Sequence, residues 1–291
     1  MRMESDMNAI LRILLLWAGF FSLANAQWVV TLPAVARVAE PLIGPVVVLL
    51  PPGQSPHHWA LRPSQLKQLS QAEGVVLVSP LLEQPVYRWL MQHDKGAKTL
   101  VWSQLDGVVR LSGGHAHHHH EDRDHEKDEA HMAHINTHLW LSPHNARILM
   151  QALAAKQGVP VTHLHQVQAQ LDKTVERVRQ LLAPVRQRPF LVLHDAFAYF
   201  EHDFGLNKAG VVEGANGDIG VKRLLAMRTL IEREGIRCIV YPAHRSPRLL
   251  QRLVKGLDVK LQPLDALGWQ QTHYNDWLIA LAKGYRACLT Y

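Results

Sequence analysis

The segment from Gly113 to Thr137 reads GGHAHHHHEDRDHEKDEAHMAHINT, has no periodic apolar face and can bury no core. Any fold must therefore be assembled from the residues on either side, with this tract carried as a low-complexity loop. Its residues His115, His117, His118, His119, His120, His125, His131 and His134 are interleaved with Asp and Glu. Such a loop offers many weak, exchangeable ligands to a borderline metal ion. A merely solvated acidic loop is the alternative.

The flanking sequence alternates short apolar runs with amphipathic ones. Val46–Leu50 lies between Pro45 and Pro51 and reads as a fully buried strand of a parallel sheet. Ser64 caps a predicted helix to Gln71, Gly74–Val78 is a second buried strand, and Val86–Gln92 is a second helix. Thr99–Trp102 and Val108–Leu111 are predicted short strands. Beyond the loop, Ser142 at N-cap and Pro143 at N1 open a helix to Gln157. A longer helix follows over Val161–Leu182, with Leu164, Val167, Leu171, Val175, Val178 and Leu182 on one face. A second strand–helix series then runs through strand Phe190–Leu193, helix Val221–Glu234 with Gly235 as C-cap, strand Cys238–Tyr241, helix Pro247–Lys255, strand Val259–Gln262 and helix Asn275–Leu289. The expectation is an α/β protein of two lobes with mainly parallel sheets. The lobes span residues 27–160, with the histidine-rich loop at 113–137, and residues 188–291, and a long helix at 161–187 links them. Ligands of such folds sit beyond the carboxyl ends of strands, often between domains.

Residues Asn8–Leu23 form an apolar stretch followed by the small-x-small triplet Ala24-Asn25-Ala26, which predicts a secretory signal peptide over residues 1–26. No cysteine lies near residue 26 to carry a lipid. The only cysteines, Cys238 and Cys288, are free to pair in an oxidising compartment, two buried thiols being the alternative. The net charge of +6 comes from 31 Lys+Arg against 25 Asp+Glu without a basic run, so no nucleic-acid partner is expected.

Three histidines lie beside predicted strands. His57 comes seven residues after the Val46–Leu50 run, His138 begins the Leu139–Leu141 segment, and His194 directly follows Phe190–Leu193. Three converging imidazoles suit Zn²⁺ with a fourth position open. Each taken alone is more often a satisfied polar side chain than a ligand, and Asp195 has its own bland role as a cap of the helix that follows. The chain has no H-E-x-x-H and no G-x-S-x-G. Gly214–Gly220 lacks the Walker lysine and reads as a turn.

The segments carrying these histidines resemble the zinc-specific, metal-binding (cluster A-I) substrate-binding proteins of bacterial ABC importers. Ser55-Pro-His57-His58-Trp-Ala-Leu-Arg62-Pro63-Ser64 resembles the first ligand motif, H-x-Y-x-L-R-P-S, and Pro63 and Ser64 select His57 over His58. Thr137-His138-Leu-Trp140-Leu-Ser142-Pro143 is similar to D-x-H-x-W-L-S-P, and His194-Asp195-Ala-Phe-Ala-Tyr199-Phe200 to H-D-A-Y-x-Y-F. The resemblance covers nearly the whole chain after residue 26. It implies two α/β lobes joined by a long rigid helix, a metal cleft between them, and Zn²⁺ held by His57, His138 and His194. It further implies a membrane permease as partner, a monomeric periplasmic receptor rather than an enzyme, and a Cys238–Cys288 disulfide. Pro56 and Pro242 stand where the family often has acidic residues. Asp265 matches a ligand position of manganese-binding relatives and is a candidate fourth ligand, with water the alternative. Two other readings are a secreted zinc buffer or chaperone working through the loop, and a zinc hydrolase. The buffer leaves the three histidines idle, and the hydrolase lacks a nominated general base.

Overall fold

The computed structural model describes residues 27–113, 135–214 and 219–291. In the first half, β1 (Val29–Val30), α1 (Pro33–Ile43), β2 (Val47–Val48), α2 (Pro63–Gln71), β3 (Val75–Leu77), α3 (Gln84–Gln92) and β4 (Thr99–Val101) form a parallel sheet of order β2-β1-β3-β4 with its helices. Then α4 (Pro143–Gln157) and the long α5 (Val161–Leu182) lead to the second half. There β5 (Phe190–Val192), α6 (Ala198–Phe204), β6 (Lys208–Val211), α7 (Val221–Glu234), β7 (Cys238–Pro242), α8 (Arg248–Leu253), β8 (Lys260–Leu264) and α9 (Tyr274–Leu289) build a second parallel sheet, order β6-β5-β7-β8. The two sheets share one topology. In each, the first strand lies between the second and the third, so the crossovers run in opposite directions from its end.

The sequence dictates these elements by familiar means. Ser142 Oγ accepts the amide of Asn145 and caps α4, while Gly158 ends it in the left-handed region at φ 65°. In α5 the stripe read from the sequence is the buried one: Leu171, Val178 and Leu182 are fully buried, and Leu164, Val167 and Val175 pack against the same core. Along β5, Phe190 and Val192 join one apolar cluster and Leu191 the other; Cys238 and Val240 alternate with Ile239 and Tyr241 along β7. Both faces of this sheet are thus covered, which is why its strands read as unbroken apolar runs.

The larger cluster runs without a break from Trp28 of the first half to Leu289 of the second. Hydrogen bonds cross with it. Trp140 Nε1 donates to Ala266 O at 2.8 Å, Tyr274 Oη to Trp140 O at 2.9 Å, and Arg37 Nε to Gly268 O at 3.2 Å. Helix α9 lies close enough to β8 that a Cβ at Gly284 would strike Leu264. A Cys238–Cys288 disulfide ties α9 to the start of β7. It closes a 50-residue separation, for which loop-closure entropy gives about 4 kcal/mol of stabilisation.

Some expectations need correction. Val108–Leu111 is not a strand. Its polar backbone is satisfied by side chains instead, with Val109 bonded through both N and O to Asn145 and Leu111 N donating to Tyr199 Oη at 3.0 Å. The Val46–Leu50 run contributes only the half-buried edge pair Val47–Val48. Helix α2 starts one residue before Ser64: Pro63 is its first residue, and Gln65 Oε1 accepts the amide of Arg62 at 2.8 Å. Elements β1, α1 and β6 were not anticipated. Among the described residues no helix is long and apolar enough to cross a membrane.

Candidate metal centre

His57 sits in a one-turn 3-10 helix, Pro56–His58, capped by Ser55 Oγ, which accepts the His57 amide at 3.3 Å. The segment is anchored downstream by the buried Gln65, whose amide donates to Leu49 O at 2.6 Å and so ties the start of α2 to the end of β2. His138 is the N-cap of the 3-10 turn Leu139–Leu141, whose three side chains are wholly buried. His194 follows β5 at its carboxyl end, at the strand between the two crossover directions. The fold brings the three rings together. Their centroids lie 5.2 Å (His57–His138), 5.6 Å (His57–His194) and 5.2 Å (His138–His194) apart. One nitrogen from each lies within 4.8 Å of the other two.

The hydrogen bonds determine which nitrogens face inward. Asn136 Nδ2 donates to Asp195 O at 2.8 Å, so its Oδ1 is turned toward His138 as an acceptor. Nδ1 of His138, 2.9 Å from that oxygen, must carry its proton, and Nε2 keeps its lone pair. On His194, Nδ1 meets Glu213 Oε2 at 3.0 Å, which likewise leaves Nε2 bare. That Nε2 is buried and has no hydrogen-bond partner. A buried, unpartnered lone pair costs free energy unless something ligates it. His57 Nε2 and His138 Nε2 stand 3.3 Å apart. Zn–N bonds of about 2.0–2.1 Å place two nitrogens of a tetrahedron about 3.3–3.4 Å apart, so this pair already spans one edge of a zinc polyhedron.

Burial keeps the site uncharged on one side. Burial, then the fields of His194, His57 and His244, hold the His138 imidazole well below the ordinary histidine range, so the ring is neutral and its Nε2 is free to ligate. On the other side, the 3 % exposed Glu213 is gripped between His194 and Arg245. A carboxylate behind a ligating imidazole fixes its tautomer and raises its basicity. Asp195 is taken by Lys208, which also pairs with the buried Glu201 at 2.9 Å.

Asp265, the candidate fourth ligand, stands outside the three-histidine group. Its Oδ1 accepts the amides of Leu267 and Gly268, each at 3.0 Å, and its Oδ2 that of Gln270 at 2.8 Å. Both oxygens are spent on building the turn after β8. The loop histidines His115 to His134 lie outside the described residues. Sequence reasoning missed Asn136, Glu213 and Arg245. Asn136 stands two residues before His138, at the first position of the D-x-H-x-W-L-S-P pattern, where a signal existed. Glu213 and Arg245 are 32 positions apart, and only strand pairing brings them to one carboxylate–guanidinium contact.

The chain is 31 % identical over 311 residues to the high-affinity zinc uptake system protein ZnuA of Yersinia pestis, covering 97 % of each. Identity to the protein of that name from Haemophilus ducreyi is 28 % over 304 residues, covering 94 % of this chain and 96 % of the relative. Among solved structures, a ZnuA crystal structure aligns with TM-score 0.71 and 22 % identity over 90 % of this chain and 97 % of the other. A zinc-bound ZnuA deletion mutant gives 0.72 at 22 % identity, with the same coverage. The periplasmic zinc-binding protein TroA of Treponema pallidum gives 0.71 at 18 %, over 91 % of this chain and 99 % of its own. These structural likenesses speak for the fold. A family model for the periplasmic component A of zinc-uptake complexes matches residues 29–288, and the chain belongs to that family.

Proposed function

We propose that this protein is a high-affinity receptor that captures Zn²⁺ in the periplasm and hands it to the permease of an ABC importer. It is a binding protein and not an enzyme, and zinc is its cargo. His57, His138 and His194 hold the ion. The observation that carries this assignment is the buried, unpartnered Nε2 of His194, aimed at the other two rings with its tautomer set by Glu213. Two imidazoles locked as Nδ1–H tautomers present their lone pairs without rearrangement, so little ordering entropy is lost on binding. An all-nitrogen set favours zinc over manganese, which prefers oxygen donors. His57 is exposed on its short turn while His138 is buried, so loading and release run through the His57 side.

Residues 1–26 act as a cleaved export signal, and the mature protein is a monomer with lobes at 27–160 and 188–291 around the helix at 161–187. The loop histidines bind further zinc weakly. The parts of the fold that surround the site support this division, since the rings come from both sides of the long helix. Calorimetric titration of chelator-stripped protein tests it. One tight site and several weak ones are expected, and a single weak class of sites would contradict a preformed centre.

A further inference from the structure

Each strand of the second sheet is followed, at its carboxyl end, by a side chain able to ligate zinc. Asp195 comes after β5 and His194, Glu213 after β6, His244 after β7 and Asp265 after β8. A three-imidazole centre leaves one tetrahedral position open, and these four are the candidates that the sheet's carboxyl edge offers for it. Three of them are committed. Asp195 pairs with Lys208 and also accepts from Asn136 Nδ2 at 3.3 Å. Glu213 is divided between His194 and Arg245, and Asp265 is saturated by three backbone amides. His244 is exposed and, like Asp265, stands outside the three-histidine group in this structure, but among the described residues its ring has no hydrogen-bond or ion-pair partner to hold it there.

The backbone fixes where that ring originates. Strands β5 and β7 are neighbours with Val192 level with Val240, so His194 and Pro242, each two residues further on, emerge together. A tight turn follows, in which Arg245 N donates to Pro242 O at 2.8 Å, with Ala243 N held by Leu264 O at 2.8 Å. His244 occupies the third position of that turn. The next residue, Arg245, reaches Glu213, which in turn holds His194. Arg245, His244 and His194 are therefore parts of one connected wall. The electrostatics agree. Partial burial of the ring, then Arg245 and His194, lower the proton affinity of His244, against Asp265.

We propose that His244 is the fourth zinc ligand: its ring turns from the loop after β7 onto the open position of the His57–His138–His194 group, completing a site of four imidazoles. The inference rests on the three-histidine reading above and adds to it. Four neutral nitrogen donors leave no place for water on the metal and strengthen the bias against oxygen-seeking ions. The turn that carries the ring is already hydrogen-bonded, at Arg245 N to Pro242 O and Ala243 N to Leu264 O.

X-ray absorption at the zinc edge of the full chain, loaded with one equivalent, counts the imidazoles directly. Wild type should show four. His244→Ala and His244→Gln should each show three with one oxygen, and competition against a chelator should find at least about a tenfold loss of affinity, the lower end of what loss of an outer-shell partner alone costs. The glutamine variant guards against a folding defect specific to alanine. Equal counts in wild type and both variants, whether three with an oxygen or four, would overturn the assignment of His244 while leaving the three-histidine centre standing. Fewer than three imidazoles in the wild type would overturn both.

Discussion

The two walls of the metal centre solve the same problem in opposite ways. The wall contributed by the first half disfavours charge on its buried titratable groups. His138 is kept neutral by burial, and Glu83 is buried beyond β3 with its pKa pushed up to about 7, bonded to Thr31 and the amides of Val78 and Ser79. The wall from the second half is built of paired charges: Glu213 with Arg245, and Lys208 with Asp195 and Glu201. A dication approaching the first meets a neutral ligand fixed by an amide. Approaching the second, it meets an imidazole backed by a carboxylate. Positional accuracy comes from the neutral wall, while the charged wall supplies ligand basicity.

Removing a ligand breaks the comparison altogether. His194→Ala deletes the imidazole that Glu213 orients and should lower tight zinc affinity by orders of magnitude while weak binding persists, as read by competition with a chelator. Retention of the tight constant would show that the charged wall holds no metal.

Glu213→Gln leaves every ligand in place and removes only the charge behind His194. Loss of such an outer-shell partner typically costs 10–100-fold in metal affinity, and about that is expected here. The corresponding change on the other wall, Asn136→Ala, frees the His138 ring to flip and should act mainly by slowing association. If the two substitutions changed affinity and rate in the same proportions, the division of labour between the walls would be wrong.

The neutral wall also makes a statement about pH. His138 has a folded pKa below the ordinary 6.5. The unfolded chain therefore takes up that proton first, and stability from this group is full above 6.5 and lost as pH falls below it. Glu83 acts in the reverse sense. Its folded pKa of about 7 exceeds the ordinary 4.5, so the folded protein holds the proton longer and loses stability as pH rises through that interval. Between about 4.5 and 6.5 the two slopes oppose each other. Glu83→Gln removes one of them, and chemical denaturation of metal-free protein should then show stability falling with acid more steeply than in wild type, by up to about 1.4 kcal/mol per pH unit. An unchanged slope would mean that Glu83 is already ionised.

The smallest effect is expected at His58. His58→Ala should leave the tight constant nearly unchanged, whereas His57→Ala should abolish it, because Pro63 opens α2 and sets the register of the motif. Similar losses in both variants would displace His57 as the ligand.

Much of this was legible in the sequence because the decisive signals were local. The bounds of α5 and α7, the cap at Ser142 and the three clustered histidines all follow from short motifs or from periodicity within one element. What escaped was either too short or too distributed. Strand β1 has only two residues, too few to show a period, whereas α1 carries the apolar spacing Val35, Val38, Ala39 and Leu42 on its buried face, a legible signal that Pro33 and Pro41 obscured. Strand β6, Lys-Ala-Gly-Val, is half-buried and poor in β-formers. Val108–Leu111 has the right composition for a strand, but Asn145 and Tyr199 provide its hydrogen bonds from distant positions. Asp265 was a sound candidate by position, and only the geometry shows both its oxygens engaged by amides. Glu213 and Arg245 converge through strand pairing alone.

The central claim is that the tight zinc site belongs to the folded frame and not to the histidine-rich loop. Deletion of residues 114–133 leaves Asn136, His138 and the Leu139–Leu141 turn intact, so calorimetric titration of that variant after chelation should retain one tight zinc and lose the weak sites. Loss of tight binding on this deletion, with weak binding surviving, would assign the metal to the loop and contradict the account.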